Sequence, residues 1–188
     1  ISKLYHSSHI FPLLIYYFLQ FDFICYNRHM KITIVCVGKV KEKFYQDAVK
    51  EYSKRLSRYT KLDIAEVADE KTEEQSTEVE INLVKDKEGE RILKAIKDDG
   101  YVICLAIDGR QLDSVELSEK MNNLFVTGKS HIYFVIGGSL GLSDNVLKRA
   151  DMKLSFSRMT FPHQLMRVIL LEQIYRGFRI MNNEPYHK

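Results

Sequence analysis

Two stretches of this 188-residue sequence gather residue types that can hold and transform a ligand. The first is Val135-Ile136-Gly137-Gly138-Ser139-Leu140-Gly141, a glycine-rich turn behind an apolar run. Glycines let a ligand approach the main chain and leave N–H and C=O groups free to bind it. The spacing is not that of a dinucleotide fingerprint, and the turn follows the fourth expected strand rather than the first. No Gly-Lys-Ser/Thr follows, so it is not a nucleotide-binding phosphate loop either. Taken alone, the stretch reads equally well as a tight turn without a ligand. The second stretch is Phe156-Ser157-Arg158-Met159-Thr160-Phe161-Pro162-His163-Gln164-Leu165-Met166-Arg167. It is a short loop entering a helix with proline at its start. Hydroxyls, a guanidinium and an imidazole collect there, where backbone amides point outward. Helix capping by Ser157 and Thr160, and an ordinary first-turn role for His163, are the competing readings.

The chain closes on Pro185-Tyr186-His187-Lys188, which offers a ring, an imidazole and an ammonium, or else a frayed tail. Cys36 and Cys104 fall in expected strands and read as small core residues. His131, His163 and His187 are scattered, so no metal site is expected. No Ser-His-Asp arrangement follows from spacing. Three cysteines make no disulfide framework.

Strands alternating with helices must position these stretches. The pattern predicts a strand over Lys31–Val37 closed by Gly38, a helix from Glu42 to Leu56 and a strand over Leu62–Val67. A long charged helix from Glu73 to Ile96, broken near Gly89, comes next. Tyr101–Ile107 reads as a strand buried on both faces, ended by a turn at Asp108-Gly109. Ser114 is the expected N-cap of a helix reaching Thr127. His131–Ile136 is the next strand, Ser143 caps a helix to Ala150, and Lys153–Ser155 is a short last strand. The final helix runs from Pro162 to Met181 and is apolar almost all round. Such a helix is either a subunit interface or a central core helix. Alternation of this kind argues for a parallel sheet with helices on both faces.

Hydrophobic residues make up 45% and charged residues 28% of the chain, which excludes wholesale disorder. The formal net charge of +3 permits a nucleic-acid partner without demanding one. Residues 69–90 hold nine acids and three lysines, which read as a solvated helix face. The remainder is basic: Lys39, Lys41, Lys43, Lys54, Arg55, Arg58 and Lys61 flank the first helix, and Arg167, Arg176, Arg179 and Lys188 lie in or beyond the last.

Residues 1–29 differ from the rest. They carry 8 of the chain's aromatics and no Ala, Gly, Val, Thr or Glu. The apolar run Ile10–Leu19 is short for a membrane span and is broken by Pro12. A signal peptide would need a small-residue cleavage site, which is missing. The expectation is a non-native, translated leader, with Met30 as the true start and 30–188 as one domain. A real segment would be a membrane-prone or partner-binding extra.

From Met30 to Lys188 the sequence resembles the ribosomal RNA large subunit methyltransferase H family, of the SPOUT class. The resemblance rests on Met30-Lys31-Ile32, Gly38-Lys39, the Val135-Ile136-Gly137-Gly138 turn, Ser157-x-x-Thr160-Phe161-Pro162-His163, Arg167 and Tyr186-His187-Lys188. It implies an α/β parallel-sheet fold whose C-terminal segment forms a trefoil knot, a rare exception to ordinary chain topology. It implies a cytoplasmic homodimer that holds S-adenosylmethionine in the knot and methylates N3 of a pseudouridine in 23S rRNA on the assembled ribosome. Neither a metal nor, for 30–188, a membrane is expected. The family's cofactor contacts carry over onto Leu105, Gly137, Phe156, Ser157, Arg158, Met159, Thr160 and Phe161. For catalysis, His163 and His187 are the candidate bases, Arg167 a stabiliser of developing negative charge, and Tyr186 a stacking face for a flipped base. A tail acting across the dimer is a further expectation. The rival readings are a SPOUT enzyme acting on transfer RNA, a non-catalytic ribosome-binding factor, and a membrane-tethered protein using residues 1–29.

Overall fold

The computed structural model describes residues 30–71 and 75–186. The segment 1–29 and the candidate base His187 lie outside the described residues. The elements are β1 (Lys31–Val37), α1 (Lys43–Leu56), β2 (Lys61–Val67), α2 (Glu78–Ala95), β3 (Tyr101–Gln111), α3 (Ser114–Val126), β4 (His131–Ile136), α4 (Asp144–Arg149), β5 (Met152–Ser155) and α5 (His163–Met181). The five strands form one sheet in the order β2-β1-β4-β3-β5. Every pairing is parallel.

The sheet is covered on both faces, which explains why its central strands are apolar at successive positions. Side chains alternate across a strand, so Ile34, Ile103 and Phe134 face one core with Leu56, Met121, Phe125, Leu170 and Phe178 from α1, α3 and α5. Val35, Cys104 and Val135 face the other, with Ile92 of α2 and Val146 of α4. Cys36 and Cys104 are core residues, and burial pushes their thiols up to about 11 and about 12. α5 lies over the sheet between α1 and α3, burying Met166, Leu170, Ile174 and Phe178. Within one chain it is a core helix.

Four expectations are corrected, two by tertiary contacts and two by local capping boxes. β3 does not stop at Asp108-Gly109 but runs to Gln111, with a register shift against β5 between Leu105 and Arg110. A Cβ on Gly109 would lie 2.7 Å from the Leu154 carbonyl carbon, so this glycine marks close strand approach rather than a turn. α2 is unbroken at Gly89; a Cβ there would sit 2.2 Å from Ser143 Oγ, so the glycine admits the start of α4 rather than ending the helix. α2 also begins later than expected, at Thr77, whose hydroxyl and Glu80 form a reciprocal capping box. Asp113, not Ser114, caps α3, again in a box with Glu116; Ser114 Oγ instead donates to Gln173 on α5 at 2.7 Å. Ser143 caps α4 as expected.

Candidate active site

The carboxyl ends of β3, β4 and β5 open into a cavity of about 700 Å³. Ligands of open parallel sheets bind at this end. Leu105 and Ile107 enter from β3, the glycine turn from the end of β4, and Phe156, Met159 and Phe161 from the loop after β5. Of the sequence-derived cofactor residues, Leu105, Gly137, Phe156, Ser157, Met159, Thr160 and Phe161 line the cavity, and Arg158 is exposed off its wall.

The glycine turn folds back on itself. Gly141 N–H donates to Gly138 O at 3.1 Å, and Gly141 has φ +87°. A Cβ on Gly137 would lie 2.8 Å from the Gly141 carbonyl, so only glycine permits this closure. A Cβ on Gly138 would lie 2.8 Å from Glu88 Oε2. Glu88 is only 5% exposed and accepts from Glu70 N–H at 3.0 Å; burial holds its carboxyl above the usual range. The acidic stretch is therefore not wholly a solvated face, since one of its acids supports the turn from below.

The loop after β5 is shaped by its own hydroxyls. Ser155 Oγ donates to Ser157 O at 3.1 Å, and Ser157 Oγ accepts from Met159 N–H at 3.0 Å. Pro162 occupies the N-cap position of α5 without a side-chain cap, so Ser157 shapes the loop and does not cap the helix. Met159, 72% exposed, stands at the cavity mouth.

His163 opens α5 and lines the cavity. Burial first, and the charge of Arg167 second, hold its imidazole below the ordinary histidine range. Its Nε2 and the Asp69 carboxyl carbon each lie 3.7 Å from where a Cβ on Gly38 would sit. Arg167 is one turn further along α5 and only 1% exposed. Its Nη1 donates to Glu66 Oε1 at 2.7 Å, and its Nη2 to Val37 O at 2.8 Å and Gly38 O at 2.7 Å. It lies off the cavity wall, acting on the end of β1.

A family model described as "Predicted SPOUT methyltransferase" matches residues 30–187. The chain belongs to the SPOUT methyltransferases. Curated relatives are similar across their whole lengths. A Methanococcus maripaludis protein is 63% identical over 159 residues, which cover 85% of this chain and 100% of that one. Proteins named ribosomal RNA large subunit methyltransferase H from Bifidobacterium adolescentis and Clostridium kluyveri are 63% and 60% identical, with the same coverage. Within the SPOUT class the chain falls in the methyltransferase H family that the sequence resembled, and its glycine turn and the Ser157–His163 loop are the two walls of one cavity.

Tyr186 lies elsewhere. Its ring packs edge-on against Tyr175 at 5.1 Å, under the Arg176 guanidinium at 4.7 Å, and its hydroxyl donates to Glu172 Oε1 at 3.4 Å. Glu172 is nine residues beyond His163, about 14 Å along the helix. Tyr186 therefore does not reach the cavity of its own chain. Among the described residues no cluster of three or more His, Cys, Asp or Glu is placed to hold a metal, and no helix is long and apolar enough to cross a membrane. Sequence reasoning missed Ile107, Glu66, Asp69 and Glu88. Ile107 lay beside a presumed turn, and the three acids act through partners that no local pattern reveals.

Proposed function

We propose that this chain transfers a methyl group from S-adenosylmethionine to N3 of a pseudouridine in 23S rRNA, as a cytoplasmic homodimer acting on the assembled ribosome. The observation that carries this reading is a cavity built by the glycine turn and the Ser157–His163 loop, with a neutral-biased imidazole on its wall. Whole-length similarity to proteins named as ribosomal RNA large subunit methyltransferases supports the substrate class.

The residues fit the cofactor. The volume lies within the range of about 300–1,000 Å³ usual for small-molecule sites. Leu105, Phe156 and Phe161 offer apolar faces to an adenine, and main-chain groups at Gly137 and along the loop offer polar partners for its edge. When bound, S-adenosylmethionine supplies an electrophilic methyl on a sulfonium. Everything else falls to the chain. It must align the acceptor nitrogen with that methyl, and such alignment can lower a barrier by about 7–11 kcal/mol. It must also take the proton that N3 loses as the N3–carbon bond forms. His163 is suited to this because burial and the charge of Arg167 favour its neutral form, and Asp69 can balance the charge it gains. Arg167 acts from behind the wall, fixing Gly38 and adding a positive field. Tyr186 and His187 serve the partner's cavity, since Tyr186 stands far from its own. A C-terminal trefoil knot accords with a site made from the two consecutive segments that follow β4 and β5.

The test is methyl transfer from labelled S-adenosylmethionine to ribosomes from cells lacking the endogenous activity, with the labelled nucleotide mapped by mass spectrometry. Label at N3 of a large-subunit pseudouridine is the expected result. Label only on transfer RNA or another nucleotide would replace the substrate, and no transfer would overturn the reading.

A further inference from the structure

Beside the cavity, the loop between β1 and α1 combines a fixed backbone with free cations. Gly38 N–H donates to Val67 O at 2.9 Å, and Gly38 O accepts from Arg167. Lys41 N–H donates to Gln164 Oε1 of α5 at 2.8 Å. Gln46 Nε2 donates to Val40 O at 2.9 Å and Lys41 O at 3.4 Å. The main chain is thus tied to β2, to α1 and to the first turns of α5, which also carries His163. Its side chains are not tied. Lys39 and Lys41 are exposed and, among the described residues, have no ion-pair partner, whereas Lys43 pairs with Asp47 at 2.8 Å. Phe44, 64% exposed, stands at the start of α1 with its ring 4.1 Å from that of Tyr45.

We propose that this loop is the arm that takes rRNA phosphates beside the cavity, with Lys39 and Lys41 as phosphate ligands and Phe44 as a stacking face for an unpaired base. The inference rests on the proposed rRNA reaction and names the surface that orients its substrate. Isolated ammonium groups on an exposed loop are ordinary. Here they sit on a backbone fixed to the same helix turn as the candidate base, so phosphates bound to them are confined to within a lysine's reach of a point that is fixed relative to His163. Ordering that backbone costs nothing further on binding. Exposed aromatic faces beside cations are what single-stranded or splayed nucleotides use, by stacking and phosphate pairing together.

The experiment measures binding of the full chain to large ribosomal subunits across a salt series, next to labelled methyl transfer. A Lys39→Ala/Lys41→Ala variant should bind about tenfold more weakly at moderate salt, with a salt slope shallower by about 1.5. Lys39→Arg/Lys41→Arg should restore most of the affinity, and Phe44→Ala should weaken binding without changing the slope. The matched charge change Lys129→Ala/Lys148→Ala, at the opposite end of the sheet, should leave affinity within about twofold of the unaltered chain. Unfolding transitions confirm that each variant is folded. Unchanged affinity and slope in the Lys39/Lys41 variant, or an equal loss in the Lys129/Lys148 variant, would overturn this inference while methylation by the unaltered chain left the proposed function standing. Failure of the unaltered chain both to bind and to methylate would overturn both.

Discussion

Arg167 Nη2 donates to the Gly38 carbonyl at 2.7 Å, joining the second turn of α5 to the end of β1 across 129 residues of sequence. The same guanidinium serves Val37 O and Glu66 Oε1. Gly38 has φ +76° and stands opposite His163 Nε2. One buried cation thus fixes the strand end, the basic loop that follows it and the electrostatic setting of the candidate base.

Replacing Arg167 should therefore damage structure and rate separately. Arg167→Ala leaves two carbonyls without their charged donor and should cost about 3 kcal/mol in urea unfolding. Arg167→Lys keeps the charge but not the planar fork, so it should recover only part of that stability. It should also lower kcat more than it weakens cofactor binding, because Arg167 is off the cavity wall. An alanine variant as stable as the parent would mean that these bonds contribute nothing net.

His163 sets a pH signature. Burial, then the charge of Arg167, lowers its pKa, so the acid limb of the kcat/KM profile should fall below the unperturbed histidine value of about 6.5. His163→Asn should abolish that limb along with most of the rate. Stability follows the same sign. A histidine whose folded pKa is depressed contributes stability that is full above its unfolded pKa and is lost as pH falls through the folded one. His131 is depressed too, by burial first. The urea midpoint should thus begin to drop below about pH 6.5, and His163→Asn should flatten part of that drop. A profile whose acid limb survives in His163→Asn would remove this residue from the base role.

Much of this was legible in the sequence, for identifiable reasons. The first part of β3, from Tyr101 to Ile107, and β4 show as near-continuous apolar runs because their central positions are buried on both faces. The start of α5 shows through Pro162, and the glycine turn and the Ser157–His163 loop are contiguous motifs. What stayed hidden depends on distant partners. Gly109 reads as a turn until Leu154 lies against it, and Gly89 reads as a helix breaker until Ser143 packs there. Glu88 looks like any acid of a solvated helix, yet it is buried under Gly138. Arg167 reads as a site cation because its three acceptors, Val37, Gly38 and Glu66, lie at the end of β1, just after it and in β2, more than a hundred positions earlier.

The two central glycines of the turn should respond differently to alanine. At Gly137 the added Cβ meets the Gly141 backbone at 2.8 Å, which cannot move without opening the turn. At Gly138 it meets the Glu88 carboxylate at 2.8 Å, the end of a side chain, and Val37 Cγ1 at 3.2 Å. Gly137→Ala should lose cofactor binding and about 1–3 kcal/mol of stability. Gly138→Ala should be milder, and Gly138→Ala with Glu88→Ala milder than the sum of the two. Calorimetric titration with S-adenosylmethionine and urea unfolding would check both, and equal losses at the two positions would contradict the geometry.

The placement of Tyr186 makes the last prediction. Its ring is held by Tyr175 and Arg176, well down α5 from His163, so in the proposed dimer Tyr186 would serve the partner's cavity. One protomer carries His163→Ala with an intact tail; the other keeps His163 but ends at Glu184. Each homodimer should be inactive. If the tail works across the dimer, a heterodimer holds one complete site, made of His163 from the truncated chain and the tail of its partner. Random mixing makes half the dimers mixed, each with one of its two sites complete, so activity should recover to about one quarter of the parent. If the tail served its own chain, no site in any dimer would be complete, and the mixture would stay as inactive as its parts.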